Sequence, residues 1–241
     1  AASDVYKRQF QSDCNYPDTL KDLQGLICIG KFNKSQIKSF QKLNSNTIFV
    51  DMKTPKIYCD TINLDFQQAV TEALDYLYDL GHRKIAYLGG KEVLADNSVY
   101  FEERKDTFIN FCQEHSIDHK SFIYEGDYSA ESGYNMTKQM IADGDLPTAI
   151  FSASDPLAIG AMRALYANGY KIPDDISIIG FDDISVASFS NPPLTTIHTP
   201  AEFMGEYAAH YILLRTKEDS LEQQTPIRLT LPCNLVVRNS C

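Results

Sequence analysis

The 241-residue sequence predicts an α/β fold in which parallel strands alternate with helices. Two β-branched runs, at 148–151 and 176–179, flank one helical stretch that ends near Gly169. A strand, a helix and a second strand at this spacing form a right-handed crossover in a parallel sheet. We expect the Asp155 carboxylate to cap the helix and Pro156 to take its first position, because both residue types favour a helix N-terminus.

Polar residues follow both of these strands. Ser154 and Asp155 come after the first strand, and Asp182 and Asp183 come after the second. Open α/β sheets bind ligands at the carboxyl ends of their strands. The stretch therefore predicts half of a small-molecule cleft with an acidic rim. Adjacent residues at a strand end point in opposite directions, so Asp182 and Asp183 are not expected to flank one bond as glycosidase carboxylates do.

The rest of the chain repeats the alternation of strands and helices. Further strands are expected at 25–30, 47–50, 84–88, 122–124, 227–231 and 234–237, and further helices at 35–43, 65–80, 129–143, from 201 onward, and in the second half of 97–112. Thr199 and Glu202 have the spacing of a capping box, and the helix after them is expected to bury Phe203 and Leu214. The pair Gly89-Gly90 indicates a turn, because the full phosphate-loop spacing is absent.

Composition limits the classes of function. The formal charge is -10 without a Lys/Arg cluster, which is a poor electrostatic match for DNA, and no apolar run approaches the length of a membrane span. The six cysteines include no Cys-x-x-Cys pair, so we expect neither a metal nor another cofactor, and we expect reduced thiols in the cytoplasm with Cys28 and Cys59 in the core. The hydrolase motifs Gly-x-Ser-x-Gly and His-Glu-x-x-His are absent, so an enzyme is not expected.

The first nine residues need separate treatment. The segment AASDVYKRQ, residues 1–9, resembles the in-frame translation of a sequencing-library adapter. Such segments are set aside before fold reasoning. We therefore expect the natural sequence in this chain to start at Phe10 and the gene to be cut at its 5′ end, so that the chain is a fragment truncated at its N-terminus.

Several segments carry a family resemblance. They are SASDPLAIGAMRALYANGYKIPDDISIIGFDDI, PPLTTI, DLGHRKIAYLGG and LPCNLVVRNS. In order and spacing they resemble the effector-binding domain of the lactose/galactose repressor family of bacterial transcription factors. The resemblance extends from about Leu23 to the C-terminus.

The resemblance implies a two-lobed periplasmic-binding-protein-like fold with parallel sheets flanked by helices. The N-terminal lobe would comprise 10–63 and 200–231, and the C-terminal lobe 64–199 and 232–241. Members of the family begin the first lobe with a further strand–helix–strand unit and carry a helix-turn-helix domain before it. Neither is present in this sequence, so the first lobe is expected to be incomplete.

The resemblance also implies a ligand site, matched residue by residue. Arg104 matches an arginine that holds effector hydroxyls, although Thr107 replaces the glycine of the family's pattern. Tyr128 matches an aromatic residue that stacks on a sugar ring. The other expected contacts are Asp51, Ser154 and Asp182. The alternatives are a surface salt bridge for Arg104, a core position for Tyr128 and a turn for Asp51.

The function implied is that of a cytoplasmic repressor domain. It would bind a small effector, expected to be a mono- or oligosaccharide, and would form a homodimer that holds helix-turn-helix domains on operator DNA. A purine or another metabolite remains an alternative effector. An exported sugar-binding protein of a transporter has the same fold and is the alternative function, although six unpatterned cysteines argue against export.

Overall fold

The computed structural model describes residues 23–53, 58–216 and 225–241. The adapter-like segment 1–9 lies outside the described residues. Within the described ranges, no helix combines the length and the hydrophobicity needed to cross a membrane.

Strands and helices alternate along the described chain. The strands are β1 (Leu26–Ile29), β2 (Thr47–Val50), β3 (Asp60–Leu64), β4 (Ile85–Gly90), β5 (Ile123–Gly126), β6 (Ala149–Ser152), β7 (Ser177–Asp182), β8 (Thr195–His198), β9 (Arg228–Leu231) and β10 (Asn234–Val236). The helices are α1 (Lys34–Leu43), α2 (Phe66–Asp79), α3 (Glu103–Glu114), α4 (Ala130–Asp143), α5 (Asp155–Ala167) and α6 (Ala201–Arg215).

The strands form two sheets. The first has the order β1-β2-β3-β9 and is parallel throughout. The second has the order β10-β8-β7-β6-β4-β5 and is parallel except for β10, which runs antiparallel to β8. Helix α2 contacts the second sheet, whereas α6 contacts β1 and β2 of the first. The predicted α/β fold with parallel sheets flanked by helices is therefore confirmed.

One continuous apolar core joins the two sheets. It includes Ile48 and Ile62 from the first sheet and Tyr87 and Phe151 from the second, all with no exposed surface. Each such side chain contributes about 1.5–3 kcal/mol when it is removed from water. Burial of this core holds the carboxyl ends of β2 and β7 in fixed places, and those ends carry candidate site residues.

The start of α5 differs from the expectation. Ser154 is the N-cap, and its hydroxyl accepts a hydrogen bond from the Leu157 amide, while Asp155 and Pro156 lie inside the first turn. The expectation that the Asp155 carboxylate caps this helix is wrong. The carboxylate accepts instead from the Ile184 amide at 2.8 Å and from the Thr196 hydroxyl at 2.6 Å, so it ties the helix to the segment after β7 and to β8 itself.

The start and the buried face of α6 also differ. Its N-cap is Pro200, which makes no side-chain hydrogen bond, so the predicted capping box of Thr199 and Glu202 is wrong. The Thr199 hydroxyl donates instead to the carbonyl of Asp182 at 3.3 Å. Phe203 and Leu214, expected inside, are 50% and 47% exposed. Apolar residues are spread over all sides of α6, between Glu202, Glu206 and His210, so their periodicity does not show which side faces the sheet.

Gly89 and Gly90 lie within β4 and do not form the expected turn. A side chain at Gly90 would meet Tyr128, since a Cβ there would lie 2.7 Å from ring atoms of that tyrosine. Gly90 therefore allows the backbone to pack closely against the Tyr128 ring. The glycine is needed for this contact and not for a turn.

Candidate functional site

Four of the five candidate residues lie at strand ends or just after them, and the fifth lies at a helix start. Asp51 directly follows β2, Tyr128 follows β5, Ser154 follows β6, and Asp182 ends β7. Arg104 is the second residue of α3. The side chains of Arg104 and Tyr128 are in direct contact, and the charges of Asp51 and Arg104 both act on the carboxyl group of Asp182. Charged residues at the carboxyl edges of both sheets are thus close enough to interact, and they define one cleft.

Arg104 is held by a network of hydrogen bonds. Its Nε and Nη2 atoms donate to the two carboxylate oxygens of Glu102, each at 2.7 Å. Its Nη1 donates to the carbonyl of Ala153 at 2.5 Å, and its Nη2 also donates to the hydroxyl of Tyr128 at 3.2 Å. Burial alone would lower the pKa of the guanidinium, but the bonds to Glu102 raise it, so Arg104 stays charged.

Aromatic rings surround the same guanidinium. Its central carbon lies 5.1 Å from the ring centre of Phe66, 5.2 Å from that of Tyr128 and 5.3 Å from that of Phe181. These distances allow cation–π attraction. The Arg104 side chain is only 12% exposed, so the alternative of a surface salt bridge does not describe it.

Tyr128 is part of this network through its hydroxyl, and it is partly buried. The hydroxyl donates to the second carboxylate oxygen of Glu102 and lies 3.2 Å from the carbonyl of Gly90. Burial raises the pKa of the phenol, so it remains protonated. The ring packs against the apolar core. The two interpretations of Tyr128, as a core residue and as a stacking surface, are therefore compatible in this position.

Asp182 and Asp183 have different environments although they are adjacent. Asp183 accepts from the Arg238 guanidinium at 2.7 Å and pairs with His198 at 3.0 Å. The Asp182 carboxylate has no hydrogen-bond donor within the described residues, and its backbone φ of 106° lies in the region that L-residues rarely adopt. Burial raises the pKa of Asp182 to about 7, against a lowering by Arg104.

Asp51 lies on the first sheet's side of the cleft. Its φ is 62°, and its carboxylate pairs with the Lys31 ammonium at 2.7 Å. The Lys31 ammonium also donates to the carbonyl of Asp51. Burial raises the pKa of Glu92, whose charge is coupled to those of Lys31, Asp51, Arg104 and Glu102. Glu92 therefore belongs to the same cleft.

Sequence reasoning missed Glu102, Lys31 and Glu92. The signal for Glu102 was its position two residues before Arg104, where a carboxylate can cap a helix and pair with the arginine at the same time. Ser154 is buried, with its hydroxyl against the start of α5. No group of three or more His, Cys, Asp or Glu in the described part of the chain fits a metal ion.

A separate cavity lies away from these residues. It has a volume of about 710 Å³, lies between α2, α3, β3 and β9, and is not lined by any of the five candidate residues. The Lys53–Glu103 ion pair lies at its border. We give priority to the cluster around Asp182, because a desolvated carboxylate without a donor, close to a buried arginine, is chemically poised for a ligand.

A family model and several proteins of known role match this chain. The model of the periplasmic binding protein-like domain matches residues 74–241. The HTH-type transcriptional regulator GalR of Streptococcus thermophilus is 36% identical over 222 residues, which cover 91% of this chain and 66% of that protein. The HTH-type transcriptional repressor MelR of Bacillus subtilis is 33% identical over 224 residues, 92% of this chain and 64% of that protein.

Solved structures agree with these relatives. The lac repressor dimer bound to operator and an anti-inducer has a TM-score of 0.78 at 29% identity, covering 90% of this chain and 64% of that one. A LacI family regulator from Lactobacillus casei with bound sucrose has a TM-score of 0.77 at 27% identity, covering 92% of this chain and 81% of that one.

The chain spans about two thirds of the length of the curated relatives it matches. Those relatives are transcriptional regulators and not enzymes. The chain belongs to the periplasmic binding protein-like family, in the branch of the lactose/galactose repressors.

Proposed function

We propose that the chain is the effector-binding and dimerisation domain of a bacterial transcriptional regulator. The regulator would repress sugar-utilisation genes, and a small ligand in the cleft would change its affinity for operator DNA. The observation that carries this proposal is the Asp182 carboxylate, which is desolvated and lacks a donor among the described residues, next to the buried Arg104.

A sugar fits this chemistry because each hydroxyl both donates and accepts a hydrogen bond. One ring hydroxyl would donate to Asp182 and accept from Arg104. The ring face would stack on Tyr128, and Ser154 and Asp51 would supply further polar contacts. The relatives support a sugar as the effector, since a LacI family regulator of the same fold has been crystallised with sucrose.

Coupling to DNA would arise from the two lobes. We assign 10–63 and 200–231 to one lobe and 64–199 and 232–241 to the other, in agreement with the division of strands between the two sheets. A ligand that contacts Asp51 on one side and Asp182 on the other would bias the angle between them. Binding of effector and of operator would then be reciprocally linked.

Operator DNA would be bound by a helix-turn-helix domain outside these 241 residues. The relatives carry HTH in their names, and the acidic charge of -10 makes this chain itself a poor DNA ligand. The regulator would act in the cytoplasm, where operator DNA lies.

A homodimer is supported by an exposed apolar segment. The 3-10 helix Ser185–Phe189 presents Phe189 and Val186 at 86% and 52% exposure, beside Ile184. Exposed apolar side chains that cluster in this way mark interaction surfaces. An isologous contact between two copies would cover the segment on both.

A thermal-shift screen of neutral monosaccharides and disaccharides tests the proposal. At a hundred times its dissociation constant, a ligand stabilises the folded chain by about 2.7 kcal/mol, which raises the melting temperature of a protein of this size by about 5–10 °C. At least one sugar is expected to produce such a shift. Nucleobases serve as the comparison, because a purine is the alternative effector that the family resemblance leaves open. A shift with a nucleobase and with no sugar would contradict the proposed effector class.

A further inference from the structure

We infer that Glu102 makes the cleft selective for neutral, hydroxyl-rich effectors and against carboxylated or phosphorylated ones. The inference rests on the proposed function and narrows its ligand class. Its basis is the way in which Glu102 occupies the guanidinium that an anionic ligand would need.

Glu102 is bound from three sides. It caps α3 by accepting from the Arg104 amide at 3.1 Å, and its two oxygens accept from Nε and Nη2 of the same arginine. The hydroxyl of Tyr128 donates to the oxygen that Nη2 contacts. A carboxylate that bonds both atoms of one guanidinium edge forms the strongest arrangement open to an Arg–carboxylate pair.

Few donors of Arg104 remain for a ligand. A guanidinium has five N–H groups. Within the described residues, Glu102 takes one from Nε and one from Nη2, Tyr128 takes the second from Nη2, and the Ala153 carbonyl takes one from Nη1. One N–H on Nη1 is left. It can bind a single hydroxyl oxygen, but it cannot form the two parallel bonds by which arginine recognises a carboxylate or a phosphate.

The surrounding charges add to the same preference. Lys31 and Arg104 are two cations of the cleft, and each already has a carboxylate partner, Asp51 for Lys31 and Glu102 for Arg104. Glu92 and Asp182 supply further carboxyl groups that are coupled to them. An added anion would therefore meet an excess of negative charge.

A neutral sugar avoids both penalties. Its hydroxyl can accept the remaining N–H of Arg104 and donate to Asp182 without breaking the pair with Glu102. A uronate or a hexose phosphate must either displace Glu102 from the guanidinium or bring a further negative charge beside Asp182. Like charges brought together in an interface cost several kcal/mol.

The test compares matched ligands that differ at one carbon. Calorimetry measures binding of two sets of ligands to the 241-residue chain and to Glu102→Gln. The first set is galactose and galacturonate; the second is glucose, glucuronate and glucose 6-phosphate. Glu103→Gln is the matched control, because that neighbour loses the same charge but pairs with Lys53. Melting temperatures of all three proteins, measured without ligand, show which of them are folded.

In the native chain, the better-bound neutral sugar is expected to bind at least about tenfold more tightly than its acidic counterpart. In Glu102→Gln this ratio should fall by about tenfold, because the amide no longer neutralises Arg104, while Glu103→Gln keeps the native ratio. Equal affinity of the neutral and the acidic sugar for the native chain, or an unchanged ratio in folded Glu102→Gln, would overturn the inference and leave the proposed function standing. Binding of neither series would overturn both.

Discussion

Replacing Asp182 with asparagine should stabilise the free protein while it weakens effector binding. The carboxylate has no donor within the described residues, and burial raises its pKa to about 7. Asparagine keeps the shape, tolerates the φ of 106° and carries no charge to desolvate. The substitution thus removes an unfavourable charge from the free protein, and it replaces the charged acceptor of a sugar hydroxyl with a weaker, neutral amide oxygen.

The magnitude follows from the shift of the pKa. An aspartate in the unfolded chain titrates near 3.9, so a folded pKa of about 7 corresponds to about 4 kcal/mol at most, at 1.36 kcal/mol per unit. The side chain is partly exposed, and solvent screening reduces this figure. We expect Asp182→Asn to gain about 1–2 kcal/mol at pH 8, or about 2–8 °C in melting temperature for a chain of this size.

The gain in stability from Asp182→Asn should increase as the pH rises. Between about pH 4 and pH 7 the folded state keeps a proton on Asp182 that the unfolded chain has lost, so the stability of the native protein falls as the pH rises through this window. The advantage of Asp182→Asn over the native chain should therefore be absent below about pH 4 and complete above about pH 7.

Thermal melts of native chain and variant at pH 4, 6 and 8 measure this difference. Asp183→Asn is the control, since it weakens the bonds to Arg238 and His198 and should lower the melting temperature. A lower melting temperature of Asp182→Asn at pH 8, or the same difference at pH 4 and pH 8, would refute the argument about its desolvated charge.

Three further substitutions test other parts of the account. Arg104→Ala should weaken sugar binding by about 1.5–3 kcal/mol in calorimetry, the value of a hydrogen bond to a charged group, and unchanged affinity would exclude Arg104 from the site. Asp155→Ala leaves the Ile184 amide and the Thr196 hydroxyl without their acceptor, so urea unfolding should show a loss of about 2–4 kcal/mol, and a loss below about 1 kcal/mol would mean that these bonds matter little. Tyr128→Phe keeps the ring and should bind sugar within about threefold of native, whereas Tyr128→Ala should lose about tenfold; equal losses would argue against stacking.

Local signals in the sequence predicted the helix boundaries well where a cap is local. Asp65 caps α2, Ser129 caps α4, and Gly144 ends α4 in the left-handed conformation, close to the bounds of the helices expected at 65–80 and 129–143. Each of these signals acts within one turn of helix, so the partner lies a few residues away in the sequence. The central strands β4, β6 and β7 of the second sheet were found for a similar reason, since they are short, mainly apolar runs that are buried on both faces.

The sequence misassigned residues whose partners are distant. The type and position of Asp155 favour a helix cap, but its partners at Ile184 and Thr196 are 29 and 41 residues away. The pairing of Glu102 with Arg104 depends on how both side chains turn at a helix start, which spacing alone does not determine. The candidate residues came largely from the family resemblance, because an aspartate after a strand is also a common turn residue.

A crystal structure of the chain with the best-bound neutral sugar tests the central claim most directly. The account predicts a sugar at the carboxyl edges of the sheets, with one hydroxyl within hydrogen-bond distance of both the Asp182 carboxylate and Nη1 of Arg104, and with the Glu102–Arg104 pair intact. A sugar bound in the cavity between α2, α3, β3 and β9, with the Asp182 carboxylate still without a donor, would contradict it.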